Sequence, residues 1–271
     1  MIRIDDPADP RIEHYRSVKD RDLSGRGGRF MAEGEVVLRN LLSPGCRFSA
    51  ESILLSEARA RSSGDLLAAL PADLPVYVAP QVVMDAIVGF HIHRGVLAVA
   101  FRGERPTADE VLAGLPQRAL VLGLVGLANH DNVGAAFRNA AAFGAGAVLL
   151  DQTSCDPLYR KALRVSVGAP LLLPHGWSDN ADEMVRSLES AGFSVVALSP
   201  QGTRPLETCA WPERTALLVG AEGPGLPASL LARVGTVRIT MAGGFDSLNV
   251  ATAAGIALHA VRTGQAARAG D

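Results

Sequence analysis

Between residues 119 and 240 six short apolar runs are interspersed with stretches of helical periodicity, and this alternation limits the fold more than any other feature. The runs are Ala119–Leu124, Ala147–Leu150, Leu171–Leu173, Ser194–Leu198, Ala216–Val219 and Val237–Thr240; the helical stretches are 132–143, 158–168, 180–191, 227–233 and 248–263. Apolar strands alternating with helices predict an α/β domain with a parallel sheet covered on both faces. Ligands of such sheets sit beyond the carboxyl ends of the strands, so the loops there are where chemistry belongs.

A weaker alternation precedes it. A polar helix is expected over Pro10–Asp22, followed by the turn SGRGGR (24–29) and a helix over Glu35–Leu42 that stops at Ser43-Pro44-Gly45. Apolar runs at Ser52–Leu55, Val76–Val78 and Gly95–Phe101 are separated by helical stretches at 57–70 and 80–88. The stretch 101–118 is rich in Pro, Gly and charge. These features divide the chain into a smaller α/β domain (1–103), a linker (104–117) and a larger α/β domain (118–271). A chain of 271 residues is long enough for two cores.

Composition mainly excludes. No apolar stretch is long enough to span a membrane, and the acidic start MIRIDDPADP has no signal-peptide core, so a cytoplasmic protein is expected. Cys46, Cys155 and Cys209 are far apart and lack CxxC spacing, which argues against a disulfide framework or a thiolate metal site. A net charge of −2 is not the footprint of a nucleic-acid binder. Of 26 basic residues only Lys19 and Lys161 are lysine. Arginine suits bidentate phosphate contacts, although GC-rich coding yields the same bias. A local basic surplus occupies Arg11–Arg29.

Three loop–helix segments carry the chemistry. In NHDNVGAAFRNAAAFGAG (129–146), Asn132 is placed to cap a helix with the apolar stripe Val133, Ala136, Phe137, Ala140, Phe143, and Arg138 lies off that stripe. In LLVGAEGPGLP (217–227) a strand enters a Gly/Pro turn whose backbone groups are open to a ligand. It lacks the Lys-Ser/Thr of a P-loop. In RITMAGGFDSLNVATAAGIALHAV (238–261), Ser247 is placed to cap a last helix that is apolar almost all round, which fits a subunit interface.

Together these segments supply NxGxxxR (Asn132, Gly134, Arg138), GxEGxG (Gly220, Glu222, Gly223, Gly225) and SLN (Ser247, Leu248, Asn249) in order. Over residues 118–265 the chain resembles the SpoU (TrmH-like) class of the SPOUT RNA methyltransferases. FMAEGEVVLRNLL (30–42) and HIHRGVLAVAF (91–101) are similar to the L7Ae/L30e-like domain that precedes many SpoU catalytic domains.

The resemblance implies a deep trefoil knot, a homodimer and methylation of a ribose 2′-hydroxyl in structured RNA, ribosomal rather than transfer RNA. It implies S-adenosylmethionine held by Leu198, Ser199, Val219, Gly220, Glu222, Gly223, Ile239, Met241 and Leu248. Arg138 matches the catalytic arginine, with Asn132, Glu222, Ser247 and Asn249 as the other signature positions. Guanidinium keeps its proton, so Arg138 is better cast as orienting the substrate phosphate and stabilising the developing alkoxide than as a base. A transfer-RNA target, a base instead of a ribose, and a non-catalytic RNA-binding protein that kept the fold are the alternatives.

Arg26, Arg29, Arg94, Arg160 and Arg164 are the expected RNA contacts. His91 and His93, at i and i+2, are expected on one face of a strand, in packing or RNA contact rather than on a metal. Ser154 has no matching His–Asp pair, so a hydrolase is not expected.

Overall fold

The computed structural model describes residues 1–16, 28–89, 91–243 and 247–269. Arg26 and most of the SGRGGR turn lie outside them. The chain forms two compact units, Met1–Glu104 with Leu158–Leu172, and Arg105–Pro157 with Leu173–Asp271.

The first unit holds a five-stranded sheet in the order β1 (Ile2–Arg3), β4 (Val76–Ala79), β3 (Ser49–Ser56), β5 (Val96–Phe101), β2 (Arg29–Glu33). β1, β4 and β3 run parallel, and β5 is antiparallel to both β3 and β2. Side chains alternate across a strand. Leu54 therefore joins Tyr15, Tyr77, Met84 and Val99 on one side, while Ile53 and Leu55 join Phe30, Leu38 and Val96 on the other.

The helices of this unit are α1 (Glu35–Leu41), α2 (Glu57–Ser62), α3 (Gly64–Ala68) and α4 (Gln81–Val88). The single helix expected over 57–70 is broken at Ser63, whose φ of −109° and ψ of 41° are not helical. The expected helix at Pro10–Asp22 is, within the described residues, only a 3-10 helix over Pro10–Tyr15.

Two further helices complete the unit, α7 (Arg160–Val165) and α8 (Ala169–Leu172). Leu171–Leu173 was expected to be a strand; α8 occupies that run instead, and the strand is β8 (His175–Ser178). Leu163 and Leu171 are apolar because they enter the core of the first unit. An apolar run this short reports burial and not periodicity.

The second unit holds a seven-stranded sheet in the order β10 (Arg204–Pro205), β12 (Gly235–Arg238), β9 (Ser194–Leu198), β11 (Arg214–Gly220), β6 (Ala119–Val125), β7 (Ala147–Asp151), β8. Every pairing in it is parallel, as the apolar runs predict. Its helices are α5 (Ala108–Ala113), α6 (His130–Ala142), α9 (Ala181–Ser190), α10 (Ala228–Arg233) and α11 (Val250–Ala269).

Residues 104–117, expected as a linker, contain α5. Thr107 and Glu110 form a reciprocal capping box, and Ala108, Val111 and Leu112 enter the core with Val121, Leu149, Met184 and Leu218. α6 packs along α11, where Asn139 Nδ2 donates to the Ala251 carbonyl at 2.7 Å and Phe143 meets His259 edge-on. Among the described residues no helix is long and apolar enough to cross a membrane.

Candidate functional site

In a parallel sheet all strands end at one edge. The adjacent strands β12, β9, β11 and β6 therefore deliver the loops after Arg238, Leu198, Gly220 and Val125 side by side. The motif residues lie on these loops or, for Asn132, Gly134 and Arg138, on the helix that the loop after Val125 enters.

Asn129, not Asn132, caps α6, its Oδ1 accepting from the Asp131 N–H at 2.8 Å. Asn132 is one turn in and buried. Its Oδ1 accepts from Asn249 Nδ2 at 2.9 Å, and the same nitrogen donates to Glu222 Oε1 at 3.2 Å. Asn249 Oδ1 accepts from the N–H groups of Ala251 (3.0 Å) and Thr252 (3.3 Å), so Asn249 caps α11 in place of Ser247, which is exposed. The three motifs thus meet at one side chain.

Arg138 does not join them within this chain. Six residues past Asn132 it lies about 120° around the helix. Its side chain is exposed and makes no hydrogen bond or ion pair among the described residues. Sequence reasoning missed Asn139, on the same helix face as Asn132, which binds α11 and lies so near Gly255 that a Cβ there would stand 3.0 Å from its Nδ2.

The neighbouring loops present backbone. A Cβ on Gly220 would stand 2.4 Å from the Gly225 carbonyl carbon, so only glycine lets this turn fold back, closed by Gly225 N–H to the Ala221 carbonyl at 3.0 Å. Gly223 and Gly225 have φ of 87° and 67°, and a Cβ on either would meet open space. Next to them the Ser199 N–H donates to the Val237 carbonyl at 3.0 Å, with Leu198 and Ser199 half-buried. Val219 is buried, Ile239 and Met241 are half-buried, and Leu248 is exposed. The Thr240 hydroxyl donates to Glu207 at 2.6 Å, which fixes loop 239–241 and holds that carboxyl below its usual range. Half-buried apolar side chains beside these glycine-rich backbone turns form a cradle for a ligand with both apolar and polar parts.

The expected RNA-contact arginines among the described residues lie in the first unit. Arg29 pairs with Glu51 at 2.6 Å and stands over the Phe101 ring. Arg94 is exposed, its side chain running beside Gly34. Arg160 Nη1 is 2.5 Å from Glu33 Oε2, and Arg164 Nη1 is 3.7 Å from the other oxygen. His91 and His93 are in the loop after α4, not on a strand; their rings meet edge-on at 4.6 Å, and His91 Nδ1 is 2.7 Å from Asp85. Ser154 is buried with its Oγ 2.6 Å from Asp151. Among the described residues no group of three His, Cys, Asp or Glu side chains is arranged to hold a metal.

Residues 119–259 match the model of the SpoU rRNA Methylase family. An uncharacterized tRNA/rRNA methyltransferase of Mycobacterium tuberculosis is 40% identical over 268 residues, covering 94% of this chain and 89% of its own. Among solved structures, an AdoMet-bound rRNA methyltransferase from Sinorhizobium meliloti has a TM-score of 0.80 at 23% identity, covering 96% of this chain and 97% of its own. An RNA 2′-O ribose methyltransferase has a TM-score of 0.79 at 27% identity, covering 98% of this chain and all of its own. With its motifs gathered at the sheet edge and these likenesses along nearly its whole length, the chain belongs to the SpoU family of RNA methyltransferases.

Proposed function

We propose that this protein transfers a methyl group from S-adenosylmethionine to a ribose 2′-hydroxyl of structured ribosomal RNA, acting in the cytoplasm as a homodimer whose catalytic unit carries the family's trefoil knot. One observation carries this: Asn249 donates to both Asn132 and Glu222, gathering all three motifs beside a glycine-lined turn. A protein that only bound RNA would have no need of that convergence. The name of the matched family favours ribosomal RNA, and a 2′-O ribose methyltransferase among the structural neighbours favours the sugar.

The donor fits the cradle. Open space over Gly223 and Gly225, and the half-buried Leu198, Ile239 and Met241, suit a molecule with a thioether chain and a nucleoside. Backbone groups of Leu198, Ser199, Val219, Gly220, Gly223, Ile239, Met241 and Leu248 would hold it, and when bound it supplies a methyl on a positively charged sulfur. The chain's own task is positioning, which contributes about 7–11 kcal/mol in favourable cases. Asn249 locks Asn132 and Glu222 in register, and the Ala221–Gly225 turn keeps the backbone open.

Arg138 orients the substrate phosphate and stabilises the alkoxide while keeping its own proton. Because it stands outside its own chain's cluster, we assign it to the site of a second copy. That copy docks on the exposed face of α11, where Thr252, Ile256 and His259 follow one another at helical spacing. The first unit acts as the L30e-like RNA-binding domain, with Arg29, Arg94, Arg160 and Arg164 on it.

The test is transfer of tritiated methyl from S-adenosylmethionine to total RNA of a strain lacking the gene, followed by alkaline hydrolysis. Ribose methylation leaves labelled alkali-resistant dinucleotides in ribosomal RNA. Label released as mononucleotides moves the target to a base, and label confined to transfer RNA removes the ribosome. Donor binding in calorimetry without any transfer overturns the enzyme.

A further inference from the structure

Asp151 ends β7 and is 5% exposed, yet it has no place in the mechanism above. Its Oδ1 accepts from the Gly126 N–H (3.0 Å), the Ser154 N–H (2.9 Å) and the Ser154 hydroxyl (2.6 Å), and its Oδ2 from the Thr153 hydroxyl (2.6 Å). Ser154 Oγ in turn accepts from the Leu127 N–H at 3.0 Å, and the Cys155 N–H donates to the Leu127 carbonyl at 2.8 Å. The turn after β7 therefore holds both amides and one carbonyl of the first two residues beyond β6.

Those two residues open the four-residue loop that leads into α6, which carries Asn132. Gly126 has a φ of 70°, and a Cβ on it would lie 3.5 Å from the Cβ of Ala221, the residue before Glu222. The loop is wedged between the Asp151 turn on one side and the Glu222 turn on the other. The Glu222 turn is closed by its own Ala221–Gly225 hydrogen bond and needs no support from Asp151.

We propose that Asp151 is a positioning residue for methyl transfer: through the backbone of Gly126 and Leu127 it sets Asn132 and the start of α6 against Asn249 and Glu222, and leaves the donor cradle untouched. This rests on the assignment of residues 132, 222 and 249 to the active site. The agent is the Oδ1 acceptor, which gathers three of the four donors. Asp151→Asn keeps an oxygen there, and its amide can donate to Thr153. Asp151→Ala removes the acceptor and leaves the half-buried Gly126 amide without its partner, while the Ser154 amide keeps the residue 151 carbonyl at 3.2 Å; losing the Gly126 tie loosens the loop.

Three measurements on the full chain test this: single-turnover methyl transfer to total RNA of a strain lacking the gene, calorimetric Kd for S-adenosylmethionine, and amide hydrogen exchange. Misplacement by about an ångström costs on the order of 100-fold in rate, which is the fall expected for Asp151→Ala. Its donor Kd stays at the wild-type value, exchange quickens in residues 126–134 and not in 217–226, and Asp151→Asn restores most of the rate. Wild-type transfer by Asp151→Ala overturns the proposal. So does equal slowing by Asp151→Asn, or a donor Kd that weakens in step with the rate, as a general folding lock would give.

Should Asp151→Ala fail to fold, Ser154→Ala removes the acceptor of the Leu127 N–H together with the hydroxyl that donates to Asp151 and Leu124, and is expected to slow transfer with unchanged donor Kd; full-rate transfer overturns the idea. If the wild type methylates no RNA, the functional assignment falls and the methyl-transfer role of Asp151 falls with it, leaving its hold on residues 126–134 to be tested. Exchange then decides, and undiminished protection of 126–134 in Asp151→Ala, or in Ser154→Ala where the former does not fold, sinks it.

Discussion

Asn249 Nδ2 stands 2.9 Å from Asn132 Oδ1, joining residues 117 positions apart. The same side chain caps α11 through its oxygen and reaches Glu222 through its nitrogen. The two duties separate by substitution. Asn249→Asp keeps the capping oxygen, and Asp caps as well as Asn. It also sets an oxygen against Glu222 Oε1 and Asn132 Oδ1 where a donor stood. Near-native thermal stability is expected with a loss of methyl transfer on the order of 100-fold. Asn249→Ala should lose transfer and, in addition, about 1 kcal/mol of stability from the missing cap. Wild-type transfer rates in Asn249→Asp would remove the amide from the mechanism.

Gly220 and Gly223 share one turn but predict different outcomes. Alanine at 220 drives its Cβ to 2.4 Å from the Gly225 carbonyl carbon and 2.5 Å from the Leu226 nitrogen, and backbone cannot step aside as a side-chain tip can. The turn opens, and S-adenosylmethionine affinity should fall at least about 100-fold, which is about 2.7 kcal/mol. Alanine at 223 meets open space and only its left-handed φ of 87° opposes it, a strain of about 1–2 kcal/mol. Calorimetry on both variants checks the order. A Gly220→Ala protein with native affinity would exclude this turn from the donor site.

Much of this was legible in the chain because the signals are local. Buried parallel strands are short apolar runs, and each motif is a contiguous stretch at or just beyond a strand end, so the sheet could be read directly and Asn132, Glu222 and Asn249 could be matched to a family pattern. What escaped depends on distant contacts or on choices between equivalent residues. NHDN offers two asparagines, and the helix starts at the first, freeing Asn132 for Asn249. Leu171 is apolar because it enters the core of the first unit, which a strand pattern imitates. The partner of Arg160 is Glu33, 127 residues away, and no spacing announces it. The helix at Ala108 was the avoidable miss, since Thr107 and Glu110 have the spacing of a capping box.

Cys155 follows Ser154 directly, at the edge of the site, and burial, with Asp156 adding to it, pushes its thiol up to about 11. The thiolate is the reactive form, so at pH 8 only about one thiol in a thousand is ionised. Iodoacetamide should label Cys155 slowly in the folded protein and rapidly once it is denatured. The folded rate should climb roughly tenfold per pH unit until the pH nears 11. Peptide mass spectrometry over a pH series measures this, and a rate already flat above pH 8 would contradict the raised thiol.

The pair Glu33–Arg160 separates structure from RNA binding. Glu33 is 6% exposed and Arg160 19%, at 2.5 Å, with Arg164 on the other carboxylate oxygen at 3.7 Å and 39% exposed. Removing one partner of a buried pair costs up to about 3–5 kcal/mol, less where a second cation such as Arg164 remains near the carboxylate, whereas replacing both with apolar groups is often neutral. Arg160→Ala should therefore lower the denaturant midpoint sharply, Arg164→Ala by the smaller cost of an exposed partner, about 0–1 kcal/mol. The double variant Glu33→Leu with Arg160→Met should recover most of the loss. Filter binding to total RNA, run on the same proteins below their unfolding transitions, supplies the other axis. If Arg160→Ala kept its stability and lost only RNA affinity, its guanidinium would serve phosphate and not Glu33. A stable double variant that still binds RNA would assign Arg160 to the fold alone and leave the RNA contacts to Arg29, Arg94 and Arg164.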